Sequence, residues 1–338
     1  MLYSGIDLHK RTCTMTTLDA RGRVLDEARM ATDRVALASY FARQRKPHTA
    51  VVEATGSWYW LHDFLRSQGI ALILAHAKYL KAIAYAKVKT DAIDATTLAQ
   101  LLRIDMIPGA HMVSPELRPL RDLMRARLLL VQKHVSARSS ISRLHEKYNV
   151  PAVDQLPPLV QVHAACFQEQ LQLLKRQIKG LEKSLYPHLN PNADVQRLLW
   201  IPGIGRIGAF TLYLEIDGID RFPSDRRFFS YCRLVPGADN SAGKQRHRTS
   251  KDGNRYLKIV FAHAAVRAIQ YFPEIRAFAQ RKARKKNKPI ARAIVAREIA
   301  RIVYHVLKEQ TDFNGKFKGI VLTRTKKRLW PRRASPSA

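Results

Sequence analysis

LYSGIDLHKRTCTMTTLDARGRVLDEARMA, residues 2–31, decides the fold. Leu2 to Asp7 reads as an apolar strand that ends on an acid. Thr12 to Leu18 reads as a second strand, rich in Thr. Asp19-Ala20-Arg21-Gly22 has the composition of a hairpin turn, and Val24 to Ala31 returns as a third strand. Working outward, Asp33 is a good N-cap for a helix whose apolar stripe is Val35, Leu37, Ala38 and Phe41. Thr49 to Ala54 is a fourth strand, and Trp58 to Ser67 is a helix stopped by Gly69. Ala71 to Ala75 is short and wholly apolar, the type of strand found inside a parallel sheet. Helices around 78–86 and 91–104 follow. Three strands with an early hairpin, then alternating helices and strands, is the order of an α/β ribonuclease H-like (RuvC-like) domain, expected over 1–110.

The remainder reads as helical. Leu117 to Tyr148 is one long helix, and residues 118–147 carry 8 Lys+Arg against 2 Asp+Glu. Pro151, Pro157 and Pro158 break it. A second helix places Leu171, Leu174, Ile178, Leu181 and Leu185 at spacings of 3, 4, 3 and 4, a heptad seam. That seam suits a helical hairpin and a dimer contact equally well. It makes 111–192 a coiled-coil-like linker. A mostly α C-terminal domain spans 193–322, and a basic tail, expected to be mobile, spans 323–338.

Four acids stand out in a chain with 59 Lys+Arg, 27 Asp+Glu and a net charge of +32. Asp7 and Glu53 close the first and fourth strands, which lie side by side in this fold. Asp91, Asp94, Ala95, Leu98 and Leu102 form one helical stripe, so both Asp continue an inward face. Four carboxylates together raise one another's pKa unless cations neutralise them. Two Mg²⁺ about 4 Å apart would do so and would clamp the attacking and leaving oxygens of a phosphodiester. Taken singly, Asp91 and Asp94 also suit a helix N-terminus, and Asp7 and Glu53 suit strand ends.

The charge implies a polyanionic partner, DNA or RNA, with salt-dependent affinity, the plainer reading being a solvated basic surface. Residues 1–105 have a net charge of +5 and the other 233 a net of +27, so the grip lies in the later parts. Arg118, Arg121 and Arg125 on the long helix are candidate phosphate contacts. So are Gly203 and Gly205 of Ile201-Pro202-Gly203-Ile204-Gly205, which reads as the turn of a helix-hairpin-helix. Residues 241–251 form a short basic loop in which Lys244, Arg246 and Arg248 surround candidate nucleophile Ser241. The run from Arg281 to Lys288 is a further basic patch. The 12 His show no metal-ligand spacing. Cys13, Cys166 and Cys232 fit neither a zinc pattern nor a disulfide framework. With no signal-peptide pattern and no apolar run of about 18 residues, a cytoplasmic, nucleoid-associated protein without membrane contact is expected.

Gly5-Ile6-Asp7, Glu53-Ala54-Thr55-Gly56, Lys89-Thr90-Asp91-Ala92-Ile93-Asp94-Ala95, Ile201-Pro202-Gly203-Ile204-Gly205 and Ser250-Lys251-Asp252-Gly253-Asn254 occur in that order. On these motifs, and over most of its length, the chain resembles the DEDD transposases of bacterial insertion sequences, the group that includes the pilin gene-inverting recombinases. The resemblance implies a C-terminal transposase domain and Mg²⁺ on Asp7, Glu53, Asp91 and Asp94. It implies that Ser241, placed after Leu234-Val235-Pro236, attacks DNA to form a 5′-phosphoserine link. It implies donor and target DNA, a noncoding bridge RNA, and a dimer or tetramer with sites shared between protomers. The family commonly has Ser-Gly in this loop, whereas here Ser241 is followed by Ala242 and then Gly243, which leaves Ser250 as the alternative serine. Two other readings of the residues are a junction-resolving nuclease using metal-activated water and a non-catalytic RNA- or DNA-binding protein.

Overall fold

A computed structural model of the chain describes residues 1–44, 47–54, 56–83, 90–189, 191–241, 244–249 and 252–323; for 81–82, 237–241 and 244–249 it describes backbone only. It divides into two compact units, Met1–Pro115 and Glu116–Ala338.

The first unit is built on a mixed five-stranded sheet. Its elements are β1 (Leu2–Leu8), β2 (Thr12–Leu18), β3 (Val24–Ala31), α1 (Arg34–Ala42), β4 (His48–Glu53), α2 (Trp58–Ser67), β5 (Ala71–Ala75), α3 (Ala77–Ile83) and α4 (Asp91–Arg103). The strand order is β3-β2-β1-β4-β5. β1 is central, antiparallel to β2 and parallel to β4, with Ile6 opposite Val52. Asp33 caps α1 as expected, its side chain accepting from the Ala36 N–H. Alternation along the strands gives the sheet two apolar faces. Ile6, Leu8, Met15 and Val52 pack with Leu37, Tyr40, Leu61 and Leu65 of α1 and α2. Val51 and Tyr3 pack on the other face with Leu98 and Leu102 of α4. Gly5 makes the second face possible: a Cβ there would lie 1.9 Å from the Ala95 carbonyl oxygen, so only glycine lets α4 rest directly on β1.

Polar groups on the α1 side are paired. The Ser4 hydroxyl lies 2.5 Å from Thr17 and 2.7 Å from His48 Nε2, and Thr17 is 2.7 Å from the Tyr40 hydroxyl. Burial pushes the His48 imidazole down to about 4.

β5 departs from expectation. It is an edge strand, not an inner one, with Ala71 and Ile73 exposed. Its far side is lined by the segment after α4: the His76 N–H donates to the Pro108 carbonyl and the Ala110 N–H to the Leu74 carbonyl, both at 2.7 Å. The passing segment covers the end of the strand, where Leu74 and Ala75 are buried, and leaves its start open to water.

The second unit is mostly helical. It comprises α5 (Arg118–Tyr148), α6 (Pro158–Leu185), α7 (Ala193–Leu199), α8 (Arg206–Ile216), α9 (Asp225–Tyr231), β6 (Pro236–Ser241), β7 (Lys244–Thr249), α10 (Arg255–Tyr271), α11 (Pro273–Lys285) and α12 (Lys288–Lys308), then short strands β8 (Lys316–Phe317) and β9 (Ile320–Val321). Asn149 ends α5 in the left-handed conformation, with Pro151 just beyond. α6 packs back along α5, burying Leu174 and Leu185, and Glu182 accepts from Arg127 Nε at 2.7 Å. The heptad seam thus serves an intramolecular hairpin. Met124 of α5 and Leu185 join the core of α7–α12, so the middle and last parts share one hydrophobic interior. The segment read as a basic loop is an antiparallel hairpin, with Ser241 opposite Lys244. Among the described residues no helix is long and apolar enough to cross a membrane. Thr55, Lys89, Ala242, Gly243, Ser250, Lys251, the end of the helix expected to reach 86, and the tail beyond 323 lie outside the described residues.

Candidate active site

The site grows from the carboxyl ends of two parallel neighbours. Asp7 follows Gly5 by two residues and so shares the α4 face of β1. Glu53 follows Val51 by two and shares the same face of β4. Ile6 pairs with Val52, which makes Asp7 and Glu53 the next positions in register. The third component is the first turn of α4. Thr90 caps it, accepting from the Ile93 N–H, and this sets Asp91 and Asp94 in that turn, with the buried Ala95 and Leu98 fastening the helix below them. Negative charge at a helix N-terminus is favourable there.

His9 completes the group. Its Nε2 lies 3.1 Å from Asp7 Oδ2 and 3.7 Å from Asp91 Oδ1. Ligand atoms of Asp7, His9 and Asp91 all fall within 4.8 Å of one another. Burial pushes the Asp7 carboxyl above its ordinary value; His9 opposes this, and Asp91 and Asp94 add to it by like-charge repulsion. The carboxyl groups of Asp7 and Asp91 and the His9 imidazole form a donor set for a divalent cation, which would supply the missing positive charge. His-to-His spacing does not point to His9; the signal is its position two residues after Asp7, just past the end of β1 at Leu8.

The other predicted contacts separate. Gly205 caps α8, and the segment Leu199–Gly205 joins α7 to α8, as a helix-hairpin-helix requires. Gly203, at φ +80, does a packing job: a Cβ would sit 2.0 Å from the Ala264 carbonyl oxygen of α10. Ser241, Lys244, Arg246 and Arg248 share the β6–β7 hairpin. Arg118 and Arg121 are buried, which corrects their reading as surface phosphate contacts. Arg121 and Arg125 instead face Glu215 of α8. Arg121 Nη2 lies 2.9 Å from Oε2, and Arg125 donates from Nε and Nη2 at 2.6 and 2.8 Å. Asn254 Nδ2 donates to the same carboxylate at 2.7 Å while its Oδ1 caps α10. Arg125 also lies over the Tyr256 ring, 4.4 Å from its centroid. Burial pushes the Glu215 carboxyl up, but the Arg125 hydrogen bonds and both guanidinium charges outweigh it, leaving it below its usual value.

Residues 4–149 match the DEDD transposase family model, described as "Transposase". Residues 195–280 match the family described as "Transposase IS116/IS110/IS902 family". A "Probable family 20 transposase" of Pseudomonas aeruginosa is 24% identical over 334 residues, covering 91% of this chain and 97% of that protein. The "Transposase for insertion sequence element IS1328" of Yersinia enterocolitica is 23% identical, covering 92% and 98%. The "Transposase for insertion sequence element IS1111A" of Coxiella burnetii is 24% identical, covering 77% and 76%.

Proposed function

This chain belongs to the IS110/IS116 family of DEDD transposases, and from that premise we propose that it is a divalent-metal-dependent DNA transposase that cuts and rejoins DNA through Ser241. The observation that carries the reading is the convergence of Asp7, His9 and Asp91 on one end of the sheet, where burial and then Asp91 and Asp94 raise the Asp7 carboxyl, with Glu53 next in register. In this reading the first unit has the ribonuclease H-like fold. Its central β1, early hairpin and α4 carrying the last two acids support that assignment.

Asp7, Glu53, Asp91 and Asp94 would hold Mg²⁺, and His9 would orient Asp7 and Asp91. Bound there, the metal supplies positive charge against phosphate oxygens. Attack by Ser241 Oγ on phosphorus forms a 5′-phosphoserine bond and releases a 3′-hydroxyl, which later reverses the bond in joining. Lys244, Arg246 and Arg248, on the strand paired with that of Ser241, offer charge to the phosphate. A noncoding guide RNA and self-association belong to the same proposal. The net charge of +27 after residue 105 supports the polyanion partners.

The test uses a donor DNA carrying the element's ends. Wild type should yield a protein–DNA adduct that mass spectrometry places on Ser241. Asp7→Ala and Ser241→Ala should bind DNA and form no adduct, while Ser250→Ala should retain it. Cleavage by Ser241→Ala at the wild-type rate would replace the serine mechanism with hydrolysis. Full recombination by Asp7→Ala in Mg²⁺ would remove the metal site.

A further inference from the structure

A groove of about 730 Å³ lies in the second unit, between α10, α12 and the segment Arg233–Pro236 that leads into β6. Its floor is aliphatic, including Leu234, Val235, Val266 and Ile290. Val266 and Ile290 remain 46% and 43% exposed, so the floor is open to a ligand. The charged residues lining it are Arg233, Lys258, Lys286, Arg292 and Arg297, with no carboxylate among the described lining residues. Two of the five are held in place: Arg233 donates from Nε to the Gly253 carbonyl at 2.8 Å, and Arg297 lies over the Phe229 ring.

An apolar floor under a purely cationic rim asks for a ligand with flat apolar surfaces and regularly spaced negative charge. We infer that this groove holds an unpaired segment of the DNA strand, with bases on the aliphatic floor and phosphates on the rim. A base inside a duplex presents no free face to such a floor, so the strand must be unpaired there. Location favours DNA. Pro236 is both a wall of the groove and the first residue of β6, whose last residue is Ser241. Along that strand the groove and Ser241 are about 17 Å apart at 3.3–3.4 Å per residue. The inference rests on the transposase reading above and adds to it a place where the cut strand is kept apart from its complement.

The experiment uses the full-length protein and three fluorescent probes of one sequence: single-stranded DNA, the DNA duplex and single-stranded RNA. Val266→Glu and Ile290→Glu put a carboxylate on the apolar floor, against the bases and beside the phosphate rim. Leu159→Glu, 87% exposed on α6, makes the same charge change outside the groove. Each groove variant should weaken single-stranded DNA binding about tenfold or more, with duplex affinity changed less than about twofold and the Leu159 variant close to wild type. Photocrosslinking from a halogenated base in the single-stranded probe should map to α10 or α12. The proposal falls if single-stranded DNA binds the groove variants normally, if Leu159→Glu loses as much, or if duplex affinity falls in step. It also falls if only RNA is lost from the groove variants, or if the crosslinks lie elsewhere. The Ser241 adduct assay is scored separately. Normal adduct with normal strand binding by the groove variants removes the groove alone. A wild type without adduct removes the serine chemistry and leaves the groove measurement standing.

Discussion

Glu215→Gln should unlock the second unit while keeping the shape of the side chain. Glu215 is 2% exposed and answers two guanidinium groups and an amide, and Arg121 is itself 6% exposed. Gln fills the space but removes the charge, leaving two cations, one of them fully buried, without a counter-ion. Breaking a buried pair in this way costs about 3–5 kcal/mol. At about 1.4 kcal/mol per decade, amides of α8 that exchange through opening of this unit should exchange roughly two to three and a half decades faster. Hydrogen exchange with peptide-level mass spectrometry reads this directly, and β1 peptides in the first unit are the internal control. The pH sign follows from the lowered carboxyl of Glu215. Its stabilisation is present at neutral pH and above the unfolded carboxylate value, and is lost as pH falls through the lower folded value. Glu215→Gln should lack that acid-linked loss. Replacing Arg121 and Arg125 by Met in the Gln background should recover much of the stability. Unchanged α8 exchange in Glu215→Gln, or equal acceleration in β1, would refute the role given to this carboxylate.

Burial holds His48 at about 4, so the first unit should lose up to about 3 kcal/mol as pH falls from the ordinary imidazole value near 6.5 toward 4, because the unfolded chain takes up that proton first. β1 exchange measured against pH should show this slope, and a flat profile would contradict it. Mg²⁺ should raise the melting temperature of the first unit through the acid cluster, and the shift should vanish in Asp7→Asn; an equal shift in that variant would place the ion elsewhere. Gly203→Ala should cost about 2–4 kcal/mol in the second unit by denaturant unfolding, from its positive φ and its approach to Ala264, while Gly205→Ala, with open space at its Cβ position, should cost less.

What the sequence disclosed follows physical range. The strands and helices of the first 105 residues were readable because alternation, the Asp33 cap and glycine stops act within a few residues. Three acids were placed by the same logic: Asp7 at a strand end and Asp91 and Asp94 in one helical turn. Partnerships over long separations were hidden. Arg121 and Arg125 looked like surface charge because their acid lies 94 and 90 residues downstream, and no local pattern reports that distance. β5 looked internal because its composition is wholly apolar, but only Leu74 and Ala75 at its end are buried. The β6–β7 hairpin looked like a loop because Pro236-Gly237-Ala238-Asp239-Asn240-Ser241 has none of the branched alternation by which strands announce themselves.

The segment running past β5 has a consequence for how this protein can be divided. The open rim of a sheet is a template for pairing with other chains. Here residues 108–110 occupy that rim before the chain continues to the second unit. A cut after Arg103 would keep every strand and helix of the first unit yet strip the guard from Leu74 and Ala75, inviting insoluble, strand-paired aggregates. A cut after Pro115 would carry the guard along. The natural seam of the molecule therefore falls about a dozen residues beyond its last helix in that unit, and the apparent linker is partly sheet insulation.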